Sequence, residues 1–183
     1  ITIREIFEWG EMQTDPNFGN YLVRLGNGKD VLDKIVLLDF GAIRGFDDNL
    51  LRVARGLITA GYHHDHAQMV AAMHGYGFFD QMPDNVKSGM AAVFMLATEP
   101  FSSPANNPDA PADAFEAPHS YVWKKSQLHG RVIKQAGDSM TSRYFSVPPK
   151  EIMFISRKFI GAYTFMTVID ARTDVRSMVG RYL

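Results

Sequence analysis

The stretch from Glu11 to Gly41, EMQTDPNFGNYLVRLGNGKDVLDKIVLLDFG, constrains this chain more than any other part of it. It carries two aspartates, Asp15 and Asp39, with Asn20 between them. Pro16 pushes Asp15 towards extended geometry, and Gly19 permits a turn before Asn20. Tyr21 to Leu25 then reads as a short strand and Gly26-Asn27-Gly28-Lys29-Asp30 as turn chemistry. Lys34 to Leu38 (KIVLL) reads as a buried strand that ends at Asp39. The pattern is a polar loop, a hairpin, and a second aspartate at the hairpin's far end.

The rest of the chain reads as mostly helical. Ile3, Ile6, Phe7 and Gly10 share one helix face, so residues 1–11 read as the end of a helix. With no turn ahead of them, the chain is expected to be a piece of a longer protein. Met12 to Asn20 reads as a loop, and Gly41 to Phe46 as a brief connection. Asp47 or Asp48 can cap a helix whose apolar face is Leu50, Ala54, Leu57, Ile58 and Gly61. A second helix is expected from about Asp65 to His74, ended by Gly75-Tyr76-Gly77. Asp84 can cap a third through Val86, Met90, Val93, Phe94 and Ala97.

Residues 99–118 hold five of the nine prolines (Pro100, Pro104, Pro108, Pro111 and Pro118), which reads as a long intradomain connection. His119 to Gln135 is expected to be a helix. Pro148-Pro149, after Val147, can start another. That one, Lys150 to Asp170, is apolar on most faces and is expected to be a central core helix interrupted by Arg157-Lys158. A short helix from Arg172 to Tyr182 closes the chain. The expected fold is mainly α with one small β-hairpin. It forms a single domain over 1–183, divided into 1–46, 47–98, 99–118 and 119–183.

Composition removes several function classes. There are no cysteines, so disulfides, thiolate catalysis and cysteine-type zinc sites are excluded. The net charge of -1 offers no basic surplus for nucleic acid. No basic segment precedes an apolar run at the start, so no signal peptide is expected. The longest apolar stretch, Phe159 to Ile169, is about half the roughly 20 residues a membrane span needs.

Asp15 and Asn20 have the D-x-x-x-x-N spacing of a kinase catalytic loop, and Asp39-Phe40-Gly41 is the DFG triplet. Phosphoryl transfer needs positioning and charge neutralisation more than covalent chemistry. Asp15 is the candidate to take or orient the acceptor's proton. Asp39 is the candidate carboxylate for magnesium, a hard cation that prefers oxygen ligands, and Asn20 supplies a neutral oxygen. Taken singly, Asp15 and Asp39 read more readily as an Asx-type turn and a strand-end cap. It is the order of loop, hairpin and DFG that favours the catalytic reading.

Other features read as ordinary structure. His63, His64 and His66 form a tempting metal cluster, but only Asp65 could complete it, and from another face, so a solvated helix start is favoured. Asp47-Asp48 diverge on a helix and read as capping. Arg44 could reach an anionic group, or pair with Asp47 or Glu11. Met69, Met73, Met90 and Met95 read as core. Lys124-Lys125 reads as a solvated helix face that could meet lipid headgroups.

Phe7-Glu8, Met12-Gln13-Thr14-Asp15-Pro16-Asn17-Phe18-Gly19-Asn20 and Leu37-Leu38-Asp39-Phe40-Gly41-Ala42-Ile43-Arg44 closely resemble the UbiB family of atypical kinases. Val147-Pro148-Pro149 and the apolar helix with Arg157-Lys158 look like its mitochondrial and alphaproteobacterial branch. The resemblance implies a protein-kinase-like large (C-terminal) lobe without the small lobe. It also implies Mg2+ and ATP as cofactor and substrate. Asp15 would be the catalytic aspartate, with Asn20 and Asp39 as metal and nucleotide ligands. Gln13-Thr14 stands where most kinases have His-Arg.

The function implied is phosphoryl transfer or ATP hydrolysis in support of ubiquinone (coenzyme Q) biosynthesis. The implied partners are the missing N-terminal lobe, a lipid or ubiquinone-precursor-like small molecule, and a membrane surface. The implied location is the bacterial cytoplasm, peripheral to the inner membrane, or the matrix side of the mitochondrial inner membrane. The chain alone is expected to bind ATP weakly or not at all and to be inactive. Two alternatives stand beside this reading. One is a phosphotransferase of the aminoglycoside or choline type, which usually shows His-x-Asp where Gln13-Thr14-Asp15 stands. The other is a non-catalytic pseudokinase or lipid-binding scaffold.

Overall fold

The computed structural model describes residues 1–15, 17–28, 32–116, 119–140 and 148–183. The expectations placed on Pro16, Lys29, Asp30, Pro118 and Val147 fall outside these residues. The described chain is mostly helical with small sheets, an architecture compatible with a kinase-like lobe.

The first helix, α1 (Thr2–Arg4), continues as a π-helical turn over Glu5–Trp9. It stops at Gly10, whose φ of 67° is left-handed. That conformation suits glycine and ends the helix before Glu11.

The expected loop from Met12 begins with a strand instead. Strand β1 (Glu11–Gln13) pairs antiparallel with β4 (Ile43–Gly45), the expected brief connection after the DFG triplet. Between them β2 (Tyr21–Arg24) and β3 (Lys34–Leu37) form the expected hairpin. The β1–β4 pairing gathers the hairpin's two flanks, so the loop before it and the triplet after it leave the same small sheet.

The expectation of one hairpin is therefore corrected to three small sheets among the described residues. The third joins β5 (Phe115–Glu116), β6 (Ser120–Val122) and β7 (Arg172–Thr173) in that order. Strands of two or three residues carry too little alternation to show in a sequence. Strand β3 is also not buried: Ile35 is 59% exposed, and Leu22 and Val23 on β2 are exposed too. The hairpin projects from the body, with apolar side chains that the body does not cover.

The helical expectations over residues 47–97 stand. Asp47 caps α2 (Asp48–His63) by accepting from the Leu50 N–H at 2.8 Å. Asp65 caps α3 (His66–Met73) through the Gln68 N–H. A short helix, α4 (Gly77–Asp80), follows. Helix α5 (Asp84–Ala97) begins after Pro83, so Asp84 lies in its first turn and is not the cap. These helices bury Leu50, Val53, Met69, Met73, Phe79 and Met95 in one cluster, which Ile152 completes. The methionines are core, as expected. The proline-rich segment holds a 3-10 turn at Glu99–Phe101 and strand β5, with no α-helix among its described residues.

Three C-terminal expectations are corrected. Residues 119–135 are not one helix: β6 leads into α6 (Trp123–Ser126), and α7 (Leu128–Met140) starts only after Gln127. Gln127 has a φ of 49°, which breaks the helical path. Tyr121 and Trp123 pack in a buried aromatic cluster, and Val122 between them is buried too, a pattern that suits a strand edge better than a helix face.

Helix α8 (Lys150–Val168) is not a central core helix. Met153, Ile160, Phe165 and Val168 are exposed, while Ile152, Ile155, Phe159 and Tyr163 pack into the hydrophobic clusters. Last, the helix expected over Arg172–Tyr182 reduces to α9 (Val175–Val179), because β7 takes the first two residues into a sheet.

Candidate functional site

The candidate site grows from β1. Thr14 ties the strand's end to β4: its N–H and hydroxyl both donate to the Ala42 carbonyl, at 3.0 and 2.8 Å. The next residue is Asp15, half-buried at the start of the loop. Asn17 forms an Asx turn by accepting from the Gly19 N–H at 3.0 Å. It thereby caps the 3-10 turn Phe18–Asn20, which presents Asn20.

The Asn20 side-chain amide donates to Asp15 Oδ2 at 3.3 Å, which turns its own oxygen away from the aspartate. The Asn20 carbonyl accepts the Leu38 N–H at 2.9 Å, and this bond sets Asp39 beside the loop. The structure therefore brings all three sequence-predicted residues into one region. Asn20 and Asp39 line one cleft of about 290 Å³, together with Gln13, Tyr21 and Phe40.

Asp39 is exposed, and its Oδ1 accepts the Gly41 N–H at 2.7 Å. This carboxylate therefore has a structural role as well, because it closes an Asx turn after β3. That turn fixes the direction of the other carboxylate oxygen. Among the described residues no group of three or more His, Asp or Glu could hold a metal ion. Magnesium rarely needs such a group: one or two carboxylates plus substrate phosphates and water are its usual shell. The Asp39 carboxylate and the Asn20 amide oxygen are hard oxygen donors of that kind, so the residues fit the ion.

Two cations lie close by. The Arg157 guanidinium stands 3.9 Å from Asp15 Oδ1, with its side chain 64% exposed. Lys158, the next residue on α8, is 4% exposed. Its Nζ donates to Glu5 Oε1 at 3.2 Å, the Gln13 carbonyl at 2.9 Å and the Tyr21 hydroxyl at 3.1 Å. In the sequence this pair reads as an interruption of an apolar helix and as part of the family resemblance, not as site residues. A lysine inside an apolar stretch is itself a signal of burial with a partner. Its glutamate lies 153 residues away, however, so periodicity could not pair them.

Gln13 was likewise missed as a site residue. Its side-chain Nε2 donates to the Asp39 carbonyl at 2.7 Å, and its Oε1 accepts the Asp15 N–H at 3.2 Å. One amide thus joins the two aspartates through their backbones.

The other sequence features resolve as structure. The helix ends at His64, whose φ of 54° places His63 and His66 on different helices, so they cannot be i, i+3 neighbours. The Arg44 guanidinium lies 5.9 Å from the Phe154 ring. Lys125 pairs with Glu116 at 3.7 Å on an exposed face.

Residues 1–73, which include Asp15, Asn20 and Asp39, match the family model described as the ABC1 atypical kinase-like domain. The chain is 29% identical over 178 residues to the mitochondrial atypical kinase COQ8 of Schizosaccharomyces pombe. That match covers 96% of this chain and 26% of the relative. It is 26% identical over 172 residues to mitochondrial coq-8 of Caenorhabditis elegans, covering 93% of this chain and 21% of the relative. To COQ8 of Saccharomyces cerevisiae it is 28% identical over 167 residues, covering 89% of this chain and 29% of the relative. The chain therefore spans about a quarter of the length of these relatives.

Proposed function

We propose, for a chain that is a homologue of the ABC1-type COQ8 atypical kinases of the UbiB family, that it supplies the catalytic and metal-binding half of a Mg-ATP-dependent phosphoryl-transfer site. The observation that carries this reading is geometric. Asn20 and Asp39 line one cleft, Asn20 bonds to Asp15, and the Gln13 amide joins both aspartates.

In this reading Asp39 and the Asn20 side-chain oxygen hold the metal. When bound, a magnesium ion supplies charge neutralisation on the nucleotide phosphates. Asp15 orients the acceptor hydroxyl, or a water molecule, and takes its proton. The Asn20 amide at 3.3 Å holds the Asp15 carboxylate in one orientation while it does so. Arg157 places a positive charge where the transferred group's negative charge would approach Asp15.

The relatives are named mitochondrial. We extend that to a mitochondrial, matrix-side protein supporting ubiquinone biosynthesis, with a lipid-like small molecule or water as acceptor. Among the described residues no helix is long and apolar enough to cross a membrane. The whole domain, residues 1–183, is proposed to be a kinase-like large lobe.

The test is turnover of radiolabelled ATP by the full-length protein, with Asp39→Ala as control. Turnover that requires magnesium and is lost in the variant is the expected result. Retained turnover in Asp39→Ala would contradict the metal role given to that residue.

A further inference from the structure

We propose that Lys158 is a positioning residue, whose ammonium fixes the backbone of Gln13 so that the Gln13 side chain holds Asp15 and Asp39 in one register. The clamp itself stands on hydrogen bonds alone, and its kinetic consequence rests on the phosphoryl-transfer reading above.

A lysine ammonium has three donors. Here all three have an acceptor within 3.2 Å: Glu5 Oε1, the Gln13 carbonyl and the Tyr21 hydroxyl. Gln13 and Tyr21 stand at the two ends of the loop that carries Asp15 and Asn20. One nitrogen atom, delivered by α8 from 145 residues beyond Gln13, therefore pins both ends of that loop.

Glu5 completes the grip. The same Oε1 that faces Lys158 accepts the Gln13 N–H at 3.1 Å. The N–H and the C=O of Gln13 are thus held by the two members of one buried ion pair. With its backbone fixed on both sides, the Gln13 side chain has a defined origin. From that origin its amide reaches the Asp39 carbonyl and the Asp15 N–H.

Stability does not account for this arrangement. Apolar side chains of similar volume often replace a buried ion pair at no cost to stability. What apolar side chains cannot do is hold a peptide N–H and a peptide carbonyl at once. The ion pair does that at Gln13, whose side chain spans both aspartates.

The test compares Lys158→Met with the double variant Glu5→Gln/Lys158→Met in the full-length protein. The double variant removes both buried charges but keeps an acceptor at residue 5 for the Gln13 N–H. Three quantities are measured: Tm, amide hydrogen exchange over residues 11–24 against residues 84–97, and kcat and KM for ATP.

We expect Lys158→Met to lower Tm and the double variant to recover most of it. The double variant should still exchange about tenfold faster over 11–24, with kcat down about tenfold and KM nearly unchanged. Recovery of Tm, exchange and kcat together would overturn the proposal and leave the pair a packing device. A wild-type protein without ATP turnover would sink the phosphoryl-transfer reading, while the exchange comparison would still decide the clamp. Should the double variant not fold, Tyr21→Phe leaves the ion pair intact and decides instead. Faster exchange over 18–24 at unchanged Tm supports the clamp, and wild-type exchange overturns it.

Discussion

The side-chain amide of Gln13 donates to the backbone carbonyl of Asp39 at 2.7 Å, across 26 residues of sequence. Its oxygen accepts the Asp15 N–H, so one side chain sets the distance between two loops that carry carboxylates. Gln13→Glu keeps the shape but replaces the donor with a second acceptor facing the Asp39 carbonyl. Leaving a buried or half-buried carbonyl unsatisfied costs about 1–3 kcal/mol, which urea denaturation would register. A shift of about 1 Å between reacting groups can cost roughly a hundredfold in rate. Turnover should therefore fall by more than the stability loss would suggest. Gln13→Glu with wild-type turnover would show that the bridge does not set the geometry.

Glu99 is 2% exposed, and a fork of two bonds from Arg131, at 2.8 and 2.7 Å, holds its carboxylate. The Tyr121 hydroxyl adds a third at 2.7 Å. The two partners should differ on removal. Arg131→Met strands a buried carboxylate, a loss of about 3–5 kcal/mol. Tyr121→Phe removes one of three bonds and leaves the Arg131 fork in place, a loss of about 1.5–3 kcal/mol. Equal losses in chemical denaturation would contradict the fork as the main partner.

The same cluster has a pH signature. Burial, and then the Glu99 carboxylate, push the Tyr121 hydroxyl well above its ordinary value. A raised folded-state value means that the neutral hydroxyl's contribution is complete below the unfolded tyrosine value of about 10 and is lost as pH rises beyond it. The stability of the wild type should fall above about pH 10 more steeply than that of Tyr121→Phe. Parallel alkaline limbs in a pH series of denaturation curves would contradict this.

Gly61 lies on α2 where the side chain of Thr98 crosses it, and an added β-carbon would overlap that side chain. Thr98 is held in place, because its hydroxyl donates to the Phe94 carbonyl at 2.8 Å. Gly61→Ala would gain helix propensity worth roughly 1 kcal/mol in an open helix. Overpacking costs about 1–3 kcal/mol and opposes that gain. Because the overlap involves atoms close to the backbone, overpacking should win and Tm should fall. A rise in Tm would mean that α2 and the Thr98 turn can slide apart.

How much of this was legible in the sequence depends on how local each signal is. Helices α2 and α3 announce themselves through Asp47 and Asp65, each the cap, followed by apolar residues at helical spacing. The order of Asp15, Asn20, hairpin and Asp39 was equally legible, because motif spacing is a local property. The β1–β4 pairing was not, since three residues on each side carry no period. Nor does an apolar run such as Lys34–Leu38 say whether either of its faces will be covered. The left-handed Gln127 that splits the expected helix carries no sequence signal comparable to a glycine's. Lys158 looked like an interruption because the glutamate and the carbonyl that justify its burial come from the other end of the chain.

Arg157 separates two effects that the buried residues mix. Its guanidinium is 3.9 Å from Asp15 Oδ1 and largely exposed, so the pair is worth at most about 1 kcal/mol to folding. Arg157→Ala should therefore leave Tm almost unchanged. If an anionic phosphoryl group approaches Asp15 during turnover, the lost positive charge acts on that approach instead. The KM for ATP should then rise roughly fivefold at low salt, with the difference shrinking as ionic strength screens it. Arg157→Lys keeps the charge but not the planar fork, so it should restore part of the effect. A KM that is unchanged in Arg157→Ala at every salt concentration would place the transferred group away from this side of Asp15. The acceptor would then have to approach the carboxylate from the side of Asn20.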